Sequence, residues 1–308
     1  MLKKDFKSLP VLLDYFKKEQ VCIKYFERLR WNGKPQCPKC GHEKVYHTKA
    51  GYKCASSKCR KNFTVKVGTV FEGSNISLRI WFAAMYLVSS HKKGISSVQL
   101  AKDLGVTQKT GWFIAHRLRE VLTDKKQFKL SKHVEVDETF YGGKEKNKPK
   151  HRRTPGTQGR STETKVAILG LLQRDGLVYA HKVPDVKGTT LQPIINEKVS
   201  DGSIILTDEW VGYKNLPDKF THLTVNHGKG IYVDGIAHTN SLEGFWSLLK
   251  RGLYGIYHCV SEKHIDRYIN EFAARYNTRT YSESERFNKF LIQSQGRLKY
   301  NNLIGKGK

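Results

Sequence analysis

His238-Thr239-Asn240-Ser241-Leu242-Glu243-Gly244-Phe245-Trp246-Ser247-Leu248-Leu249-Lys250-Arg251 reads as one amphipathic helix stopped at Gly252. Leu242, Phe245, Trp246 and Leu249 recur at i, i+3, i+4 and i+7, the spacing of a buried helical stripe. Asn240, Glu243, Ser247 and Lys250 repeat that spacing on another face. At about 1.5 Å rise per residue, Glu243 and Lys250 stand roughly 10 Å apart along the polar face. An acid able to hold a cation is thus followed, further along the same face, by a base able to grip phosphate. The residues also admit a plainer account, in which Asn240 and Glu243 form a capping pattern and Gly252 is a stop signal.

Upstream, Asp137 and Asp208 each lie at or near the end of an apolar run that reads as a strand. Three carboxylates carried on two strands and a helix are what a pair of divalent cations needs to act on phosphodiesters. Taken singly, Asp137 could instead cap a turn before Gly142, and Asp208 the short segment ahead of Trp210.

The charge balance points the same way. Among 308 residues, Lys plus Arg number 55 against 28 for Asp plus Glu, a net charge of +27, which calls for a polyanionic partner, nucleic acid first. A membrane partner is disfavoured, because the longest mostly apolar stretch, residues 80–88, is too short to span a bilayer. Met1-Leu2-Lys3-Lys4-Asp5 is followed by no secretory apolar region, so a cytoplasmic, nucleoid-associated location is expected.

Four of the six cysteines form two knuckles, Cys37-Pro38-Lys39-Cys40 and Cys54-Ala55-Ser56-Ser57-Lys58-Cys59, with thirteen residues between them. That spacing predicts a closed tetrahedral zinc site of the structural kind, leaving no position for a substrate. His42 or His47 could replace a thiolate, and four unrelated cysteines are the alternative. Cys22 and Cys259 are assigned to packing.

Residues 5–30 read as helical, and a further helix covers 78–89. Residues 96–112 have the look of a helix-turn-helix, with Leu100, Ala101 and Leu104 facing inward, Gly105 turning and Thr107 capping. Gln108, Lys109 and Thr110 would then point into a major groove; a helical hairpin with no DNA role is the other reading. Strands follow at 133–137, 165–172 and 177–183, the last two joined by the turn signal Arg174-Asp175-Gly176. Residues 144–165, dense in Lys, Arg, Gly and Pro, predict a mobile loop that orders on a phosphate backbone. A helix at 189–199, strands at 203–207 and 223–225, and helices at 240–251 and 262–277 complete the pattern.

Three strands, helix, strand, helix, strand, helix, with acids on the first and fourth strands and the last helical region, is the layout of an RNase H-like fold. The chain resembles bacterial insertion-sequence transposases of the D-D-E type, most closely the zinc-ribbon group named IS fifteen-ninety-five. The resemblance covers nearly the whole chain and rests on the shared order of several fragments. They are Cys37-Pro-x-Cys40, Phe63-Thr-Val with Gly68-Thr-Val-Phe-Glu72, Gln99-Leu-Ala with Leu104-Gly-Val, Val136-Asp-Glu138 and Thr207-Asp208. His238-Thr-Asn240 with Glu243-Gly-Phe-Trp-Ser-Leu-Leu-Lys-Arg251, and Arg267-Tyr with Glu271-Phe and Arg275-Tyr-Asn277, complete the set.

The resemblance implies an α/β chain in which an RNase H-like mixed-sheet catalytic domain (129–308) is preceded by an N-terminal helical segment (1–30), a zinc ribbon (31–73) and a helix-turn-helix domain (74–128). It implies two magnesium ions, replaceable by Mn2+, on Asp137, Asp208 and Glu243, with 34 residues between the last two. Asn240 is the alternative third residue; Glu243 is preferred because a carboxylate neutralises a cation and an amide does not. Lys250 and Arg251 would hold the scissile or a neighbouring phosphate. Glu135, on Asp137's face by strand alternation, is an extra-ligand candidate or an acid behind the site. Double-stranded DNA, as transposon ends and target, is the implied partner, met by a homodimer or higher multimer. A DNA-binding regulator without catalysis and a structure-selective nuclease on the same fold are the rival functions.

Overall fold

The computed structural model describes residues 4–123, 128–143, 145–155, 161, 163–225 and 238–305. Two compact units emerge, one made of Met1–Thr123 with Thr280–Lys308 and the other of Asp124–Arg279. Helices and strands are numbered along the chain.

In the first unit the stretch 5–30, read as helical, holds two helices, α1 (Leu9–Tyr15) and α2 (Glu19–Trp31). Ser8 accepts a hydrogen bond from Val11 N and Pro10 sits in the first turn, which fixes the start of α1. The chain then turns at Phe16, whose ring packs 5.4 Å from Phe6 and 5.1 Å from Tyr25, contacts that one unbroken helix could not make. The ribbon strands β1 (Val45–Thr48), β2 (Gly51–Cys54) and β3 (Asn62–Phe63) form an antiparallel sheet. Helix α3 (Leu78–Ser90) is buried along nearly its whole length. Helices α4 (Ser97–Leu104) and α5 (Gln108–Leu122) are capped by Ser96 and Thr107 and joined through Gly105 in the left-handed conformation. They cross closely, for a Cβ on Gly111 would lie 2.8 Å from that of Ala101.

Residues 280–308 correct the expected domain boundary. The resemblance places them in the catalytic domain, whereas α9 (Glu283–Ile292) and α10 (Tyr300–Ile304) belong to the first unit. The buried Phe287 ring meets Phe6 and Phe82, each at 5.7 Å, and Val70 N donates to Ser294 O at 2.9 Å. The apolar surface a segment completes, not its place in the chain, chooses its domain.

The second unit is built on a five-stranded mixed sheet in the order β6-β5-β4-β7-β8. The strands are β4 (His133–Tyr141), β5 (Val166–Gln173), β6 (Val178–Val183), β7 (Ile204–Asp208) and β8 (Thr221–Val225). β4 is antiparallel to β5 and parallel to β7, so the first strand in sequence is central. This is the RNase H-like arrangement that the order of elements predicts. The apolar run of β5 is buried on both faces: Ile168 and Leu172 face α7 (Asn240–Gly255) and α8 (Ile265–Asn277), while Ala167, Leu169 and Leu171 face α6 (Gly188–Lys198). The outer edge of β6 is covered by side chains of α8, with Asn277 bonded to both N and O of Val178 and Asp266 accepting from Lys182 N.

Three expectations change here. The helix expected between the fourth and fifth strands is a single 3-10 turn, Val211–Tyr213, followed by Asn215 at φ 62° and Pro217, neither of which continues a helix. Helix α7 does not stop at Gly252 but runs to Gly255, because Gly252 is a packing residue: a Cβ there would stand 2.0 Å from the Phe272 ring. The described part of 144–165 carries two 3-10 turns, Glu145–Asn147 and Lys150–Arg152, tied by Glu145 accepting from Lys148 Nζ and Thr154 N. Lys144, residues 156–160 and Thr162 of that stretch lie outside the described residues.

Candidate active site and zinc centre

Strand alternation sorts the acids of β4. Val134 and Val136 enter the core beneath α6, so Glu135 and Asp137 point to the opposite face, where α7 packs. In the parallel register Glu135 stands beside Leu206, and two residues further along both strands come Asp137 and Asp208. Glu243 arrives from α7, on the exposed face that also carries Ser247, Lys250 and Arg251. Asp137, Glu138, Thr139, Glu243, Trp246, Ser247, Lys250 and Arg251 line one cleft of about 460 Å³. Asn240 is exposed in the first turn of α7, and neither it nor Asp208 is among the residues lining this cleft.

Electrostatics tie the three acids together. Burial pushes the Asp137 carboxyl up to about 6, and the negative charges of Asp208 and then Glu243 push it the same way, against a hydrogen bond from Trp246. Neither Asp137 nor Glu243 is ion-paired to a lysine or arginine among the described residues. A buried acid repelled by two others fits a site for a cation.

The ionisation penalty sets a stability prediction. The folded-state pKa of Asp137 exceeds its ordinary value of 3.8, so the penalty is full above about pH 6 and disappears as pH falls towards 3.8. Asp137→Asn is therefore expected to stabilise the metal-free protein by about 2–3 kcal/mol at neutral pH, with the gain fading in acid. Thermal melts across that pH range check it; an equal or lower melting temperature at neutral pH counts against the charge cluster.

Trp246 Nε1 donates to Asp137 Oδ2 at 3.0 Å. Gly170, the partner of Asp137 in the β4–β5 register, makes the slot, since a Cβ there would lie 2.4 Å from the indole. The helical stripe identified Trp246 as core but gave no role to its N–H; a buried indole N–H needs an acceptor, and that was the available signal. Trp246→Phe removes a donor to a charged group, a loss of about 1.5–3 kcal/mol, and is expected to weaken metal binding and cleavage by roughly 10- to 100-fold. Titration with Mn2+ reads it out, and unaltered affinity rejects the role.

On the other face of β4, Glu138 accepts a hydrogen bond from the buried Tyr213 hydroxyl, which ties the segment after Asp208 to the central strand. Asp208 Oδ1 accepts from Trp210 N at 3.0 Å, so the capping alternative for this residue is realised alongside its place in the charge cluster. Glu135 is completely buried and engaged with Arg174 and Leu242 N, which removes it as an extra ligand open to the cleft. Arg251 spends its guanidinium on Ser247 O and Oγ, at 3.1 and 2.9 Å.

In the first unit, Cys37 and Cys59 sulfurs are 3.8 Å apart and those of Cys40 and Cys54 3.5 Å. A tetrahedron with Zn–S bonds of about 2.3 Å has edges of about 3.8 Å, so four thiolates close the shell and neither His42 nor His47 is needed. Gly41 at φ 73° and Arg60 at φ 45° turn the two knuckles. Gln108 and Lys109 are exposed at the start of α5 with Thr110 half-buried behind them. Gln108 Nε2 donates to Ser97 Oγ at 3.2 Å, and the Lys109 ammonium lies 5.5 Å from the Tyr300 ring centre.

A mixed sheet centred on its first strand, with acids converging from the first and fourth strands and a following helix, and a four-thiol ribbon ahead of it, defines a transposase of the D-D-E class. The chain belongs to the ISXO2-like family: the family model described as an ISXO2-like transposase domain matches residues 129–277, and one described as a transposase zinc-ribbon domain matches residues 17–62. A protein of Halobacterium salinarum described as an uncharacterized protein in transposable element ISH50 is 30% identical over 275 residues, covering 84% of this chain and 91% of that protein. An uncharacterized transposase-like protein of Haemophilus influenzae is 34% identical over 101 residues, 32% of this chain and 80% of the relative. Among solved structures, a pre-cleavage Mos1 transpososome covers 71% of this chain and 80% of its own at 15% identity, with a TM-score of 0.29. No helix among the described residues is long and apolar enough to cross a membrane.

Proposed function

We propose that this chain is a DNA transposase that binds the ends of an insertion sequence, cleaves there and transfers the freed strand into target DNA. Asp137, Asp208 and Glu243 are its divalent-metal ligands. The observation that carries this is the cleft lined by Asp137 and Glu243, where Asp137 also feels the charge of Asp208 and Lys250 and Arg251 stand on the same helix face as Glu243. Glu243 takes the third place rather than Asn240, because it lines the cleft and adds negative charge there.

Two bound magnesium ions would activate the attacking oxygen, first of water and then of the freed 3′ hydroxyl, and stabilise the leaving oxygen. The chain's own residues prepare that step. Trp246 holds Asp137 by one carboxylate oxygen. Lys250, exposed on the same face, supplies a positive charge for the scissile phosphate or its neighbour. Arg251 would leave Ser247 to grip phosphate with its planar fork. The ribbon (31–73) and the α4–α5 pair within 74–128 supply end recognition, with Gln108, Lys109 and Thr110 entering a major groove. Two ends must be held together, so the active assembly is a homodimer or larger on DNA.

The test is cleavage and joining by the purified protein on duplexes carrying the element's own ends, with Mg2+ or Mn2+. Nicking at an end followed by joining of its 3′ hydroxyl to a second duplex supports the reading. Binding without nicking makes the protein a regulator, and nicking without joining makes it a nuclease.

A further inference from the structure

Helix α7 begins without a cap of its own, since the side chain of its N-cap residue, Thr239, accepts no hydrogen bond from the first turn. The first turn of a helix nonetheless presents N–H groups that have no partner within the helix. Here the acceptor comes from the neighbouring strand: Glu135 Oε2 takes the Leu242 N–H at 2.9 Å. The other oxygen of the same carboxylate accepts from Arg174 Nε at 2.8 Å, and Arg174 Nη2 reaches on to His238 O at 2.9 Å. Glu135 is 0% exposed and Arg174 is partly buried, so this is a largely buried ion pair. Isolated pairs of that kind rarely add net stability and are often replaceable by apolar residues, which directs attention to what the pair positions.

What it positions is specific. Glu135 lies two residues before Asp137 on the same face of β4, and Leu242 immediately precedes Glu243 on α7. We propose that Glu135 and Arg174 are positioning residues, a clamp that seats the first turn of α7 on β4 and so fixes the separation of Asp137 and Glu243. Glu135 acts through the backbone of Leu242 and Arg174 through that of His238, and neither touches metal or DNA. Negative charge at the helix N-terminus also complements the helix dipole, which a neutral cap would do less well. The inference rests on the reading of Asp137 and Glu243 as metal ligands.

The experiment uses the full-length, zinc-loaded protein and Mn2+ alone as the probe, followed by calorimetry. Glu135→Gln keeps the shape but not the charge; Arg174→Lys keeps the charge but loses the fork that joins Glu135 to His238 O. Both are expected to weaken Mn2+ binding, by about 10- to 100-fold for Glu135→Gln and less for Arg174→Lys, without changing the number of ions bound. Cleavage should fall in parallel and recover in part at high Mn2+, while affinity for the DNA ends stays at the wild-type value. If Glu135→Gln does not fold, Arg174→Lys carries the test alone. Mn2+ affinity equal to wild type overturns the clamp, including the case where only the melting temperature falls. Loss of a bound ion in Glu135→Gln also overturns it, because Glu135 would then be a ligand. Glu243→Gln separates the two failures. If that variant binds Mn2+ normally, the ligand reading and the clamp fall together; if it does not, a wild-type result for Glu135→Gln removes the clamp alone.

Discussion

Asp208→Ala is expected to abolish strand cleavage while the protein still binds the element ends. Asp208 ends β7 beside Asp137 on the central strand, and its charge is the strongest carboxylate influence on the Asp137 carboxyl. Removing it deletes one side of the proposed cation pocket and leaves the ribbon and the α4–α5 pair, in the other compact unit, untouched. Metal stabilisation of the transition state contributes several kcal/mol, and at about 1.36 kcal/mol per tenfold the cleavage rate should fall by at least roughly 10³-fold. Single-turnover nicking alongside an end-binding titration decides it. Equal cleavage by variant and wild type rejects the assigned site, and joint loss of cleavage and binding would show a structural effect instead.

Zinc removal should have an effect of similar size on the other unit. The ribbon's own core consists of Cys37, Tyr52, Cys54 and Phe63, so two of its four buried residues are also metal ligands. Trp31 packs its ring edge-on against Tyr52 and Phe63, at 5.8 and 6.0 Å, which ties the end of α2 to the same small cluster. Strands of four, four and two residues cannot bury enough surface to hold this shape unaided. Binding of structural zinc contributes about 10–16 kcal/mol in small modules of this kind, and here that is folding free energy. Cys54→Ser, or treatment with a strong chelator, is expected to release the metal, open residues 31–73 to protease and weaken binding of the DNA ends. Mn2+ binding at the acidic cleft should persist, because that site lies in the other compact unit. Continued protease resistance of a zinc-free ribbon would show that the four thiols are not what folds it.

Much of this molecule could be read from local pattern. The i, i+3, i+4, i+7 stripe of Leu242, Phe245, Trp246 and Leu249 is the buried face of α7, because a helix repeats every 3.6 residues wherever it sits. The cysteine knuckles gave the four-thiol cluster for a similar reason, since two tight turns bring ligands together over short spans of chain. The strands that carry Asp137 and Asp208 announced themselves as apolar runs. What sequence alone determined is therefore most of the elements, the side of each that is buried and the four-thiol set, all consequences of geometry within a few turns of chain.

Tertiary packing decided the rest. Gly252 reads as a stop signal and proves to be the seat of the Phe272 ring; Gly170 is one more apolar-strand position until the indole of Trp246 needs its space. Glu135 shares a strand face and a carboxylate with Asp137, yet Arg174 and the start of α7 claim it, while Asp137 is left to face Asp208 and Glu243. Residues 280–308 join the first unit because the Phe287 ring completes an aromatic cluster begun at Phe6. Which of several similar acids stays unpaired, and which glycine is a slot, depends on groups brought together from distant parts of the chain. A carboxylate's burial and partners are set by every element packed around it, and that information is spread over the whole sequence.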